Sequence, residues 1–217
     1  MSDFPITDRS RVMRYPKRGA YDRDTVYRIL DEGLVCHVSF AIDGQPFLIP
    51  TIHARMGDQV LLHGLKGGRL LKHIDDGNPI ALAVTLLDGL VLARTVFNHS
   101  MNYRSVVLYG RGRAIEDRDA KLAALHHLTE HVCRGRWADA RPPNEKELMA
   151  TTIVALDIEE ASAKIRQGPP GDDGDDLAFP VWAGVLPLPV VPQAALTDPK
   201  QAAGYAVPGY VKDYRRI

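Results

Sequence analysis

The chain has 217 residues, 27 Lys and Arg balanced by 27 Asp and Glu, and a 45% hydrophobic content. That length allows one sizeable core or two small ones. Zero net charge argues against a general nucleic-acid binder, which carries an overall basic excess. Two cysteines without CxxC spacing, Cys36 and Cys133, indicate neither a disulfide framework nor a zinc site.

Residues 1–20 carry Arg9, Arg11, Arg14, Lys17 and Arg18 and read as a polar, basic arm. They hold no apolar signal core, and no window of the chain is long and apolar enough for a membrane span. The expectation is a cytoplasmic protein without membrane or nucleic-acid partners. Residues 22–32 read as a helix: Asp22 or Asp24 can cap it, Val26, Ile29 and Leu30 share a face, and Gly33 stops it. Strands at 34–42 and 45–55 flank Asp43-Gly44, a hairpin signal. Cys36 lies in the first of them as a buried thiol.

A short strand at 59–63 precedes a glycine-rich turn and a helix at 68–76. A second hairpin is expected from strands 80–87 and 90–96 around Asp88-Gly89. Residues 104–115 read as one long strand that can bend at Gly110 and Gly112. A helix at 120–132 turns Leu122, Leu125, Leu128 and Val132 inward, and a short helix with Pro near its start occupies 142–149. Residues 151–158 alternate as a strand that 163–165 can extend, and 168–176 form a Gly-, Pro- and Asp-rich loop. Short strands, hairpin signals and few helices favour a mainly β, antiparallel barrel with peripheral helices, an α+β fold. The boundaries are an arm at 1–20, one domain at 21–192 and a tail at 193–217.

Four segments carry candidate chemistry. The run His63-Gly-Leu-Lys-Gly-Gly-Arg-Leu-Leu-Lys72 places glycines, which let backbone approach a phosphate, beside the cations Lys66, Arg69 and Lys72. Phe47-Leu-Ile-Pro-Thr-Ile-His53 puts Pro50, which lacks an N–H, where a strand edge is free. Asn102-Tyr-Arg-Ser105 leads polar groups, an aromatic face and a cation into a strand, and Pro180-Val-Trp-Ala-Gly184 sets a tryptophan beside glycine. His127 and His131 are spaced i, i+4 but lack a third ligand, so they read as a solvated helix face rather than a metal site. There is no GxSxG elbow.

In order and spacing these segments resemble the pyridoxamine 5′-phosphate oxidase-related flavoproteins, nearest the nitroimidazole-reductase-like branch. The resemblance spans residues 11–189. It implies an FMN-binding split β-barrel that works as a homodimer, with each FMN touching both chains. It implies that Ile49, Pro50 and Thr51 run along the flavin ring, and that Gly64, Lys66, Gly68, Arg69 and Lys72 serve its phosphate. Of the family's Ser-Arg-Lys phosphate cluster only Arg69 is retained, at Gly68-Arg69-Leu70. Asn102, Tyr103, Arg104 and Ser105 would face the flavin's pyrimidine edge or phosphate, and Trp182 the flavin of the partner subunit. His63 is the implied catalytic group, as a proton donor near the flavin. No Arg-x-His follows Trp182, so the vitamin substrate is not implied. The expectation is an FMN-dependent oxidoreductase of a small molecule. The alternative is a non-catalytic flavin-, haem- or deazaflavin-binding protein, with His63 or His99 as the axial ligand of a haem.

Overall fold

A computed structural model describes residues 2–202 and 204–216. The fold is α+β and mainly β, built as two antiparallel sheets that share a core in the manner of a split barrel without closing into one cylinder. The strands are β1 (Gly19–Ala20), β2 (Val35–Ile42), β3 (Gln45–Ile52), β4 (Ala54–Met56), β5 (Gln59–Leu65), β6 (Ile80–Leu92), β7 (Ser100–Gly110), β8 (Gly112–Ala114), β9 (Thr151–Asp157), β10 (Glu160–Arg166) and β11 (Gly184–Pro187). The larger sheet runs β1-β10-β7-β6-β2-β3, with β11 paired to β6; the smaller runs β4-β5-β9-β8. The helices are α1 (Arg23–Glu32), α2 (Arg69–Asp75), α3 (Arg118–Val132), α4 (Arg136–Asp139), α5 (Glu145–Ala150) and α6 (Gly209–Lys212).

Period-2 alternation aims one face of each large-sheet strand inward. Cys36, Val38 and Phe40 of β2, Leu82 and Val84 of β6, and Val106 and Leu108 of β7 meet in one core. The core is closed by α1 through Val26, Ile29 and Leu30, and by α2 through Leu70, Leu71 and Ile74. Asp22 caps α1 by accepting from Thr25 N at 2.8 Å. Gly33 ends that helix for want of space, not for a left-handed backbone: a Cβ there would meet Val84 at 2.5 Å. A second, smaller cluster joins Ala124 and Leu128 of α3 to Leu61 and Ile153, while Leu122, Leu125 and Val132 stay half-buried. Burial pushes the Cys36 thiol up to about 12, so it packs as an inert hydrophobe.

Several boundaries differ from the sequence expectation. Asp88-Gly89 makes no hairpin turn. The strand β6 passes through both residues with a register shift between Leu87 and Gly89, and the turn falls at 93–99. The reason is local: Asp88 bonds Arg104, and a Cβ on Gly89 would stand 2.8 Å from the Leu186 oxygen of β11. The strand expected at 104–115 begins at Ser100 and is cut at Arg111, passing from the large sheet to the small one. Gly110 and Gly112 permit the crossing, since Cβ atoms there would lie 1.9 Å from Asp157 O and 2.4 Å from Ala155 O. The 45–55 strand splits at His53, and 163–165 belong to a separate strand, β10, in the other sheet. Residues 2–20 are largely exposed but anchored along the body: Phe4 is buried edge-on against Tyr27, Arg9 pairs with Glu160, and β1 adds an edge to β10.

Candidate functional site

The expected site residues fall into two groups. The first lies at the free edge of β3. That strand ends the large sheet, and pairs only with β2 among the described residues, so the backbone groups of Ile49, Pro50 and Thr51 on its outer side have no strand partner. Proline at 50 suits an edge, since it has no N–H to lose. Beside this edge stands the turn Lys66–Gly67–Gly68 and the first residue of α2, Arg69. The Arg69 guanidinium lies 4.6 Å from the Phe47 ring centroid of β3, and Phe47 stacks on Phe40. Packing thus ties α2 to β3 and holds a cation over the edge. Gly67 has φ of 83°, and a Cβ on it would meet nothing within 4 Å, so the turn presents bare backbone to solvent. Arg69 and Lys66 are exposed and have no carboxylate partner among the described residues. Lys72 differs: its ammonium bonds Asp76 at 2.9 Å one turn along α2, which removes it from this group. Gly64 lies inside β5, where a Cβ would press on Leu71 at 3.1 Å; its role is packing.

The second group sits at the far end of β7. Asn102 is buried and donates to Gly168 O at 3.2 Å, while accepting from Arg166. Ser105 donates to Lys164 O at 3.2 Å. Arg104 is fully engaged, donating to Asp88 Oδ1 at 2.7 Å and Glu32 Oε1 at 2.8 Å with further bonds to both. Those two carboxylates raise its pKa further above the usual arginine range. Within one chain Arg104 is therefore a structural tie between α1, β6 and β7 rather than a free cation. Tyr103 remains half-exposed. Trp182 is 66% exposed, with its ring against Gly184 at the start of β11, and β11 pairs with β6 close to Ser100.

The two groups do not meet within the chain. Ile49 pairs with Val38, Val38 with Leu82, and Leu82 with Leu108. Three strand spacings, roughly 14 Å, and three further residues along β7 therefore separate Ile49 from Ser105. Between them lies the outward face of the large sheet, where Leu48, Ile52, Val35 and Val107 are exposed apolar residues.

The histidines are mostly tied to backbone. His53 is completely buried, with Nε2 3.0 Å from Leu30 O and Nδ1 without a partner; burial pulls its pKa down to about 4. His131 Nε2 meets Gly33 O at 2.9 Å and His127 Nε2 meets Arg55 O at 2.7 Å. These two do not form the solvated face that their spacing suggested; they bridge α3 to the carbonyls beneath it. Arg216 completes the cap of α1, donating to Asp31 O and Glu32 O at 2.7 Å and to His131 O at 2.8 Å. His63, on β5, is half-buried with an unpartnered Nδ1, and burial lowers its pKa. That holds it neutral at pH 7 and leaves little imidazolium to donate a proton. His99 is exposed, and its Nδ1 lies 2.9 Å from Thr95 O. A carbonyl only accepts, so Nδ1 is the donor to Thr95 O, and in the neutral ring Nε2 is the acceptor nitrogen. Sequence reasoning had no signal for the Arg216 cap, because its acceptors are backbone carbonyls 85 to 185 residues earlier.

Fold and site together define a split-barrel protein with an open sheet edge flanked by a cationic turn. The sequence model for pyridoxamine 5′-phosphate oxidase matches residues 22–165, and the chain belongs to that family. No curated protein matches it. Among solved structures it is similar to the flavocytochrome Anf3 from Azotobacter vinelandii, at 41% identity over 96% of this chain and 97% of that one, with a TM-score of 0.89. It is similar also to the FAD and heme binding protein from Mycobacterium smegmatis, at 38% identity over 90% and 96% of the two chains, with a TM-score of 0.85. A 5-nitroimidazole antibiotic resistance candidate from Bacteroides thetaiotaomicron shares the fold, at 19% identity over 68% and 86%, with a TM-score of 0.58. No helix is long and apolar enough to cross a membrane among the described residues.

Proposed function

We propose that this protein is a flavin-binding oxidoreductase that seats its flavin along the free edge of β3, with the phosphate on the Lys66–Arg69 turn. The observation that carries this is the Arg69 guanidinium held over Phe47 at the sheet edge, beside bare glycine backbone. These residues fit a flavin phosphate: an unpaired fork donor, a second cation and the Gly67 N–H, while Lys66 N and Gly68 N are held by Ala150 O and Leu65 O. The open strand edge can bond the polar rim of the ring. A bound flavin supplies hydride and electron transfer; the chain supplies binding, orientation and tuning of potential. FMN is the flavin that the family implies. The M. smegmatis relative is named for FAD, and the same edge and turn would serve either.

The working unit is a homodimer. The groups at β3 and at Asn102–Ser105 with Trp182 lie at different places on one chain, and the exposed apolar face between them suits a second copy. Sedimentation equilibrium finding only monomer would remove this part.

A specific observation favours a second cofactor. Two relatives, at 41% and 38% identity, are named as haem or cytochrome proteins, and His99 would be the residue to hold the iron, because its Nδ1–H is fixed on the Thr95 carbonyl and its ring is exposed. His63 is the poorer candidate because it is half-enclosed.

The test is fluorescence titration of the flavin-free protein with FMN and with FAD. Arg69→Ala should weaken binding of the preferred flavin by about tenfold or more, as expected for losing a charge-assisted bond of roughly 1.5–3 kcal/mol. Arg69→Lys should recover part of it. Equal affinity in Arg69→Ala would remove the phosphate assignment.

A further inference from the structure

The N-terminal arm lies outside the stretch that matches the family, residues 22–165, and it carries the densest positive charge on a chain of zero net charge. From Arg9 to Tyr21 there are five cations and no acidic residue. Arg9 is neutralised by Glu160 at 2.9 Å. Arg14, Lys17 and Arg18 have no carboxylate partner among the described residues, and neither does Arg166 at the end of β10.

These cations are held rather than loose. The arm is pinned on both sides of them. Val12 N donates to the Tyr21 hydroxyl at 2.8 Å, and Gly19 and Ala20 pair with Lys164 and Ala163 of β10. Between the pins, Arg14 and Arg18 lie 5.3 and 4.2 Å from the Tyr15 ring centroid. Arg166 is fixed by bonds to Asn102 Oδ1, to Gly168 O at 3.1 Å and to Pro169 O at 3.0 Å, so it brings charge to the cluster rather than a free fork. The pairing of β1 with β10 brings Arg18 beside the end of β10, and burial, then the charge of Arg18, lowers the Arg166 pKa. Like charges brought together without a counter-charge are unfavourable unless an anion joins them.

A separate observation is Tyr15 itself. It has φ of 57° and ψ of 64°, a left-handed conformation in a bulky, exposed, non-glycine residue. L side chains avoid that region, and such outliers persist where the surroundings impose them, often at ligand sites. Here the twist places the ring where both flanking guanidiniums rest on it.

We propose that Arg14, Lys17, Arg18 and Arg166 form a binding site for the pyrophosphate group of a small nucleotide. Three guanidiniums and an ammonium call for more than one negative charge, and the guanidinium fork matches phosphate oxygens. A neutral protein with this one compact cluster suits a small polyanion better than a nucleic-acid backbone, which needs an extended basic track. The site stands on the arm alone and not on the flavin seat at β3. The nucleotide is separate from the flavin, whose phosphate belongs to the Lys66–Arg69 turn at the opposite edge of the large sheet.

The experiment is calorimetric titration of the protein as purified with inorganic pyrophosphate, at low and at moderate salt. Saturable binding is expected, weakening with salt. It should fall at least tenfold in the Arg14→Gln/Arg18→Gln double variant and remain unchanged in Lys146→Gln, an exposed cation on α5. Tyr15→Gly keeps every charge and relieves the left-handed strain. It should fold at least as stably while binding pyrophosphate more weakly, which separates loss of the site from loss of the fold. Pyrophosphate should bind alongside retained flavin; displacement of the flavin would place the anion on the Lys66–Arg69 turn instead and overturn the proposal. Absence of saturable binding, or equal affinity in the double variant, overturns the proposal. Neither result bears on Arg69 or the β3 edge.

Discussion

His53 should make this protein lose stability in mild acid. The ring is completely buried, with its Nε2–H on the Leu30 carbonyl at the end of α1 and its Nδ1 unpartnered. Burial, then the neighbouring His131, depress its pKa from 6.5 to about 4. The unfolded chain therefore takes up a proton near pH 6.5 that the folded chain refuses until about pH 4. Stability from this group is fully present above pH 6.5 and is lost as pH falls through about 4. At ~1.4 kcal/mol per pKa unit, the loss is about 2 kcal/mol at pH 5 and about 3 kcal/mol in full. His131 is also depressed by burial, so it steepens the same window. The depressed carboxylates act lower, because their unfolded values lie near 4.5 and below. His53→Gln supplies an amide donor for the Leu30 carbonyl in a group that does not titrate. Urea unfolding of both proteins between pH 7.5 and pH 4.5 should give a stability difference that shifts in the variant's favour by about 2.5 kcal/mol at the acid end. A difference that stays constant with pH would refute the reasoning.

Two structural predictions accompany it. Gly110→Ala places a Cβ 1.9 Å from the Asp157 oxygen, where the chain crosses between sheets. It should cost about 3 kcal/mol or more by thermal or urea unfolding, and a loss below ~0.5 kcal/mol would place the crossing wrongly. Arg216→Ala removes the donors that cap Asp31, Glu32 and His131. It should lower stability by about 1–3 kcal/mol, with Arg216→Lys recovering little because an ammonium cannot span three carbonyls; an unchanged melting temperature would contradict the cap.

The fold class was legible because the strands alternate strictly. Val38 and Phe40, Leu82 and Val84, and Val106 and Leu108 each announce a strand with one buried face, and Asp43-Gly44 announces the turn between β2 and β3. The sheet crossings were not legible. A chain that leaves one sheet for another at Arg111, at His53 or at Ile158 keeps its extended backbone, and nothing in a local pattern tells a bend from a continuation. Asp88-Gly89 misled for a related reason: the pair that favours a tight turn serves equally as a bulge when Arg104 takes the carboxylate and β11 approaches the glycine. In the site, the association of Arg69 with the strand around Pro50 follows the order of segments that the family resemblance supplied. The engagement of Lys72 by Asp76 was readable as an i, i+4 pair. The engagement of Arg104 by Glu32 was not, since it joins residues far apart in sequence.

The central claim is that the β3 edge and the Lys66–Arg69 turn hold a flavin. The most direct measurement is the absorption spectrum of the protein as purified, repeated after addition of FMN or FAD and desalting. The account predicts retained flavin bands in the near-ultraviolet and blue, with a Soret band beside them if His99 ligates haem. A colourless protein that retains neither flavin after desalting would contradict it.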